Sequence, residues 1–352
     1  MGTTRIITMQ GDEPDRAAIK EASDIIHAGG LVIIPTETVY GICASMLNRK
    51  AVERLYEIKE RPRDKPFSLH IGEKDKVHEY TRMLPVAAYK LMDAFWPGPL
   101  TLLLRAKSEG TVGMRFPDHV AARAVITLSG VPCVAPSANL SGKPAPVTCS
   151  QALADLDGLV DLALDCGPAK YARESTIVDL TGEPLRIVRE GALPAQEINR
   201  VAGRKLILFV CTGNSCRSVM AEAWMKKVLG ARGRSDVDVL SAGMMVEGMS
   251  ATEATRSVLS RQGIDVSGHR SRRITPDMLN KADMIVVMER LHEAKVLALA
   301  PQVKNRLFLL REFTRTDGSD LDLPDPIGRP VEVYEEVFAV IREALQKIIE
   351  IV

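Results

Sequence analysis

The sequence carries no disulfide framework, no excess of either charge and no long apolar run, and each absence removes a class of protein. Its six cysteines (Cys43, Cys133, Cys149, Cys166, Cys211 and Cys216) are scattered through 352 residues, unlike those of a small disulfide-stapled domain. No Cys/His grouping has zinc spacing, so no metal-ligating set is expected. A reducing, cytoplasmic setting fits this usage. Lys plus Arg number 46 and Asp plus Glu 45, which leaves no global electrostatic case for a nucleic-acid or membrane surface. Cations must therefore be judged site by site. No apolar stretch nears the roughly 20 residues of a membrane-spanning helix. The opening Met-Gly-Thr-Thr-Arg-Ile-Ile-Thr-Met-Gln is too poor in apolar residues for a secretory leader. Internal repeats and low-complexity tracts are also lacking.

What is present is a 46% apolar chain, too long for one ordinary core. The expected organisation is an N-terminal domain over 1–195, a short linker at 196–204 and a C-terminal domain over 205–352. The sharpest local signal lies in the second domain. Leu206 to Val210 reads as a strand buried on both faces, and a helix follows with Val219, Ala223, Trp224 and Val228 on one side. Between them runs Cys211-Thr212-Gly213-Asn214-Ser215-Cys216-Arg217-Ser218. A loop at a strand's carboxyl end and a helix's amino end has unpaired N–H groups and a positive dipole, which suits an anion. Cys211 in that field is expected as a thiolate nucleophile. Arg217 can grip two phosphate oxygens with its planar fork. Cys-x5-Arg alone is weak; placed between a buried strand and a helix it reads as a phosphate-cleaving site.

The first domain offers strands that end in polar loops. Asp15 to Ala28 is a helix, Leu31 to Ile34 a strand, and Pro35-Thr-Glu-Thr38-Val-Tyr-Gly41 leaves its end. A helix from about Arg49 ends near Pro62 beside Lys59, Arg61, Arg63 and Lys65. Such a cluster is either a solvated surface or a polyphosphate clamp. Arg115 ends the strand Thr111 to Arg115, where an arginine either holds a carboxylate bidentately or pairs with an acidic neighbour. Val131 to Ala135 leads into Pro136-Ser137-Ala-Asn139-Leu-Ser-Gly142, a polar loop or an ordinary turn. Ser175 to Leu180 and Leu185 to Val188 complete the strands, followed by Arg189-Glu-Gly191.

These segments, with Phe95-Trp-Pro-Gly-Pro99 and Arg115-Phe-Pro117, resemble the YrdC-like threonylcarbamoyl-adenylate synthase family over about residues 5–195. The resemblance implies a twisted mixed α/β sheet around a large basic cavity. It implies synthesis of threonylcarbamoyl-AMP and pyrophosphate from L-threonine, bicarbonate and ATP, with a threonylcarbamoyl transferase acting downstream on tRNA. By position, Arg61, Lys65, Thr111, Ser137 and Arg189 would hold ATP, with Lys59 and Asn139 nearby. Thr38, His70, Arg115 and Ser175 would surround threonine. ATP is a substrate arriving with Mg2+, and no tightly bound cofactor is implied. The alternative is an RNA-binding module without synthesis.

In the second half, Val237 to Leu240, Asp283 to Met288 and Arg306 to Leu310 read as strands. Thr252 to Gln262 and Val331 to Ile351 read as helices. Alternation of this kind predicts a small doubly wound parallel sheet. Asp325, held between Pro324 and Pro326, is the candidate general acid. The half resembles the low-molecular-weight phosphatase family through the Cys211 loop, Ser241-Ala-Gly243, Gly268-His-Arg270, Ala282-Asp283 and Asp325-Pro326. The resemblance implies a phosphoprotein substrate cleaved through a phosphocysteine. It also gives Asn214 a loop-shaping role, Ser218 a hydrogen bond to the sulfur, and Cys216 a reversible pairing with Cys211. Ser215 and Asp325-Pro-Ile-Gly lean towards phosphoarginine. The alternatives are a tyrosine-specific enzyme and an arsenate-reductase-like domain, though no cysteine follows Cys216 to relay that chemistry.

Overall fold

In the computed structural model, which describes residues 3–9, 15–82, 84–245, 247–314 and 321–352, the apolar runs become strands of two separate sheets. Two units divide between Ala202 and Gly203. Met1, Gly2 and Gln10, part of the stretch read for a leader, lie outside the described residues.

The first unit holds ten strands: β1 (Arg5–Thr8), β2 (Val32–Ile34), β3 (Gly41–Ser45), β4 (Leu69–His70), β5 (Leu100–Arg105), β6 (Thr111–Arg115), β7 (Cys133–Val134), β8 (Leu162–Asp165), β9 (Thr176–Asp179) and β10 (Arg186–Arg189). They form one mixed sheet in the order β1-β8-β2-β3-β7-β4-β6-β5-β9-β10. Pairing is parallel for β1/β8, β2/β8, β4/β6 and β5/β9, and antiparallel elsewhere. Alternation from Leu31 through β2 fills two cores. Val32 and Ile34 join Ile19, Ile26 and Val125 on one face. Leu31 and Ile33 join Tyr40, Leu55 and Leu156 on the other. A third cluster gathers Leu69, Leu91, Trp96, Leu102 and Val178. Each fully buried Leu or Ile contributes about 1.5–3 kcal/mol. Asp15 caps the helix Arg16–His27 by accepting from the Ala17 and Ala18 N–H groups.

The segment expected as a linker, 196–204, instead lies largely within a helix, Ala195–Gly203. Ile198 is fully buried in the third cluster, with Val201 and Ala202 packed beside it. An amphipathic turn that can bury an isoleucine stays with the core it covers.

The second unit carries β11 (Lys205–Cys211), β12 (Val237–Gly243), β13 (Met284–Val287) and β14 (Leu307–Leu309). They are parallel and ordered β12-β11-β13-β14. The chain order reverses at β11, so the loop leaving it opens at a topological switch point. Ile207, Phe209 and Cys211 face a core shared with Met220, Met225, Ile341 and Leu345. Leu208 and Val210 face Ile274, Leu279 and Val296. The helix Arg217–Ala231 buries Val219, Met220, Ala221, Met225 and Leu229, whereas Ala223, Trp224 and Val228 are only partly buried. Its buried face is thus rotated from the expected one, because the residues next to the loop, Arg217 and Ser218 included, also turn inward.

Candidate functional sites

In the first unit, strand ends and the loops leaving them enclose a polar cavity of about 680 Å3, its open mouth included. Arg61, Arg115 and Arg189 all line it, together with His70, Ser137 and Ser175. Register explains much of this convergence. His70 lies opposite Arg115 in the β4/β6 pair, and Thr101 lies opposite Arg115 in the β5/β6 pair. The strand from Arg186 passes hard against β9. A Cβ on Gly191 would stand 2.2 Å from the Glu174 carbonyl, so only glycine lets the chain come that close.

Each guanidinium is already partly held. Arg115 donates to Glu37 at 2.6 Å and to the Thr38 hydroxyl at 2.7 Å, and all three side chains are buried. Arg189 donates to Glu174 at 2.6 Å and to the Ser175 carbonyl at 2.9 Å. Arg61 rests over the Phe67 ring at 5.2 Å and donates to the Lys65 carbonyl at 2.8 Å. Thr101 and Ser175 hydroxyls meet at 2.8 Å, and Ser137 donates to Asn139 at 2.6 Å.

Several buried polar atoms here have no partner: His70 Nε2, Arg115 Nε and Glu37 Oε2. Burial and the neighbouring Arg115 charge push His70 down to about 3, so its ring is neutral near pH 7. Its Nδ1–H donates to the Ser68 carbonyl at 3.3 Å, leaving Nε2 as a bare acceptor. The wall thus offers guanidinium donors beside an unfilled acceptor, the complement of an α-amino acid.

The basic cluster separates into different tasks. Lys59 is buried and donates to the Ser137 carbonyl at 2.5 Å, the Asn139 carbonyl at 2.7 Å and Asn139 Oδ1 at 3.1 Å. Desolvation, aided by the Arg61 charge, lowers it to about 8. It pins the Ser137–Asn139 loop. Arg63 pairs with Glu53 outside the cavity. Lys65 and Thr111 are exposed and do not line the cavity wall. The wall residues Glu174, Thr101 and Ser68, and Glu37 behind Arg115, were missed in the sequence. Glu37 and Glu174 each neighbour a residue singled out there, Thr38 and Ser175.

In the second unit, Cys211 ends β11 and is 3% exposed. Its sulfur lies 2.9 Å from the Ser218 hydroxyl and accepts the Asn214 N–H at 3.3 Å. Asn214 takes a left-handed φ of 51°. Its side-chain amide donates to Ser218 at 3.0 Å and Ser241 at 2.7 Å, and Ser241 donates to buried Glu222. The Arg272 N–H donates to Asn214 Oδ1, and His269 donates to the Asn214 carbonyl at 2.8 Å. Gly243 is required beside this loop, since a Cβ there would lie 2.8 Å from Asn214 N and 2.9 Å from the Thr212 carbonyl.

Arg217 is 1% exposed and committed on both arms. One amino group meets Glu289 and the Leu323 carbonyl; the other meets Asp325 at 2.5 Å and Thr212 Oγ1 at 3.3 Å. His292, also buried, meets Thr212 Oγ1 at 2.9 Å. Asp325 thus lies against the loop through Arg217. Ser215 and Cys216 are buried within that loop, with their side chains 3.6 Å apart, and a Cβ on Gly213 would lie 3.4 Å from the Ser215 hydroxyl. The Cys211 thiol departs from expectation. Burial raises it above its ordinary value, against the Ser218 hydroxyl, the Arg217 charge and the Asn214 N–H. A dry sulfur beneath an arginine already shared by two carboxylates lacks the unopposed positive field the loop position implied. Glu289 and His292 went unnoticed in the sequence, although Glu289 follows β13 at the same carboxyl end of the parallel sheet as Cys211.

Among the described residues there is no grouping of three or more metal-ligating side chains and no helix long and apolar enough to cross a membrane.

Comparison with known proteins divides the chain in the same way. A Sua5/YciO/YrdC family model, described as telomere recombination, matches residues 24–191. A model described as low molecular weight phosphotyrosine protein phosphatase matches residues 206–352. The threonylcarbamoyl-AMP synthase of Pyrococcus abyssi is 41% identical over 195 residues, 53% of this chain and 57% of that protein. This chain thus spans little more than half of that relative's length. A Methanocaldococcus jannaschii relative is 37% identical over 179 residues, 49% of this chain and 84% of its own. A protein-arginine-phosphatase of Geobacillus stearothermophilus is 34% identical over 145 residues, 41% of this chain and 90% of its own.

Proposed function

Because this chain belongs to the Sua5/YciO/YrdC family in its first half and to the low-molecular-weight phosphatase family in its second, we propose that it is a bifunctional enzyme. The first half makes threonylcarbamoyl-AMP and pyrophosphate from L-threonine, bicarbonate and ATP. The second hydrolyses a phosphoprotein through a phosphocysteine.

The observation that carries the first reading is the single cavity walled by Arg61, Arg115 and Arg189 with neutral His70. Threonine's carboxylate exchanges with Glu37 or Thr38 on Arg115. The bare His70 Nε2 accepts a hydrogen bond from the amino acid's hydroxyl or nitrogen. The amine and bicarbonate give a carbamate with loss of water. A carbamate oxygen then attacks the α-phosphorus, and the bond to pyrophosphate breaks. The chain supplies no nucleophile here, only placement and cations for the leaving charge. Arg61, Arg189, Ser137 and the Lys59-pinned loop suit that work. Mg2+ would be held mainly by ATP phosphates, with Glu174 the carboxylate in the cavity wall; when bound it neutralises phosphate charge. Mixing threonine, bicarbonate and ATP with the intact chain and analysing products by mass tests this reading. Threonylcarbamoyl-AMP is expected, and ATP turnover without it would contradict the reading. The expected consumer is a transferase that passes the threonylcarbamoyl group to tRNA.

In the second half, the entering phosphate displaces Asp325 from Arg217 and takes the guanidinium and loop N–H groups as its own ligands. The Cys211 thiol passes its proton to the displaced Asp325 carboxylate, the thiolate attacks phosphorus, and Asp325 gives that proton to the leaving group as its bond to phosphorus breaks. Asp325 then removes a proton from water, which attacks phosphorus and returns the thiolate. Arginine is favoured over tyrosine as the carrier because Ser215 is small and Ile327, not an aromatic ring, follows Asp325-Pro326. Matched phosphoarginine and phosphotyrosine peptides test that choice. A tenfold preference for phosphotyrosine would reverse it.

A further inference from the structure

Beside the phosphate loop, two segments lie against each other and against Asn214. In the first, Met244 and Met245 donate backbone N–H bonds to the Thr212 carbonyl. In the second, Arg272 N–H and His269 reach Asn214, and Ser271 exchanges bonds with Met249. Their outward side chains are unusual in combination. Arg270, Arg272 and Arg273 are all exposed, and Met245 and Met249 are 55% and 48% exposed. Some exposed arginines elsewhere have carboxylate partners, as in Arg54–Asp161, Arg204–Asp238 and Arg261–Glu335, while others among the described residues, such as Arg16, Arg49 and Arg256, stand singly without one. Among the described residues, none of Arg270, Arg272 and Arg273 has one. The described parts of the two segments hold one carboxylate, the exposed Glu247. The chain's charges nearly cancel overall, so this is a local concentration of unneutralised guanidinium.

We propose that this arginine–methionine surface docks acidic residues flanking the phosphorylated residue of the protein substrate. The proposal rests on the phosphatase reading and adds to it a preference in substrate sequence. Guanidinium forks match carboxylates, and flexible thioethers adapt to varied apolar neighbours. The phosphorylated side chain enters at Cys211, and the arginine segment adjoins that loop through the Arg272 N–H and His269 bonds to Asn214, so residues flanking the phosphorylated one pass beside it. A nucleic acid fits less well, because the one ring in these segments, His269, is tied to the Asn214 carbonyl rather than offered to a base.

The test uses the intact chain and pairs of phosphoarginine and phosphotyrosine peptides, identical except for acidic or alanine flanks. Acidic flanks should raise kcat/KM by about tenfold at low salt, and the gain should shrink as ionic strength rises. In the variant Arg270→Gln/Arg273→Gln the gain should fall to about twofold, while p-nitrophenyl phosphate turnover stays unchanged. Equal kcat/KM for both flanks, or a gain that survives in the variant, would overturn the proposal. So would a variant that loses tRNA binding and keeps its peptide preference. A chain that shows no Cys211-dependent p-nitrophenyl phosphate hydrolysis would instead remove the phosphatase reading, and the docking site with it.

Discussion

Lowering the pH from 7 to 4.5 should destabilise the first unit by about 2.5 kcal/mol through His70 alone. The reasoning starts from a ring that is 5% exposed and held down to about 3 by burial and Arg115. In the unfolded chain the same ring titrates near its ordinary 6.5. Between those values the unfolded state binds a proton that the folded state refuses. Stability is therefore complete above pH 6.5 and is lost as the pH falls towards 3. Integrating the two titrations from pH 7 to 4.5 gives the quoted figure, to within about a factor of two. Urea unfolding of wild type and His70→Gln, followed at both pH values, isolates the effect, because every other titrating group cancels in the difference. A Trp224→Phe background leaves Trp96, in the first unit's third core, as the sole tryptophan reporter. The glutamine variant should lose about 2.5 kcal/mol less than wild type over this range. Equal losses in the two proteins, or an imidazole C2 proton of His70 titrating near 6.5, would refute the argument.

Four further outcomes follow from the geometry. Gly243→Ala places a Cβ against Asn214 N and the Thr212 carbonyl. It should lower p-nitrophenyl phosphate kcat/KM by about 100-fold and leave pyrophosphate release by the other half intact. Ser218→Ala removes a bond that pulls the Cys211 thiol down, so the acidic limb of the phosphatase pH profile should move to higher pH. Lys59→Met leaves the Ser137 and Asn139 carbonyls without their donor. It should cost about 2–3 kcal/mol in urea unfolding and raise the KM for ATP more than that for threonine. Asp325→Asn should slow hydrolysis of poor leaving groups by about 100-fold or more, and of p-nitrophenyl phosphate by clearly less.

The parts legible in the sequence were those set by local rules. Leu206 to Val210 was recognised as doubly buried because every residue is apolar, and the structure divides those side chains between two cores. The long helix Val331–Ile351 buries Tyr334, Val337, Phe338, Ile341, Leu345 and Ile348, apolar residues at helical spacing. The strand Gly41–Ser45 was missed because Gly, Ala and Ser carry little strand preference; pairing with β2 and β7 decides it. The strands Arg5–Thr8 and Leu162–Asp165 are four residues each and hold one another by pairing 157 positions apart, which no local window sees. The sites divide in the same manner. Cations were visible as residue types, but their carboxylate partners come from distant segments: Glu37 to Arg115, Glu289 and Asp325 to Arg217. Lys59 looked like a phosphate ligand, yet its three acceptors lie about 80 residues away, at 78 and 80 positions along the chain.

The proposed chemistry rests on one arginine in each unit, Arg115 and Arg217, each paired with an internal carboxylate that the ligand anion would displace. The most direct measurement is pyrophosphate release by the intact chain, wild type and two variants, with threonine, bicarbonate and ATP supplied together and singly omitted. Release should require all three substrates, vanish in Arg115→Gln and persist undiminished in Cys211→Ser. Release that ignores threonine, or that survives the loss of Arg115, would contradict it.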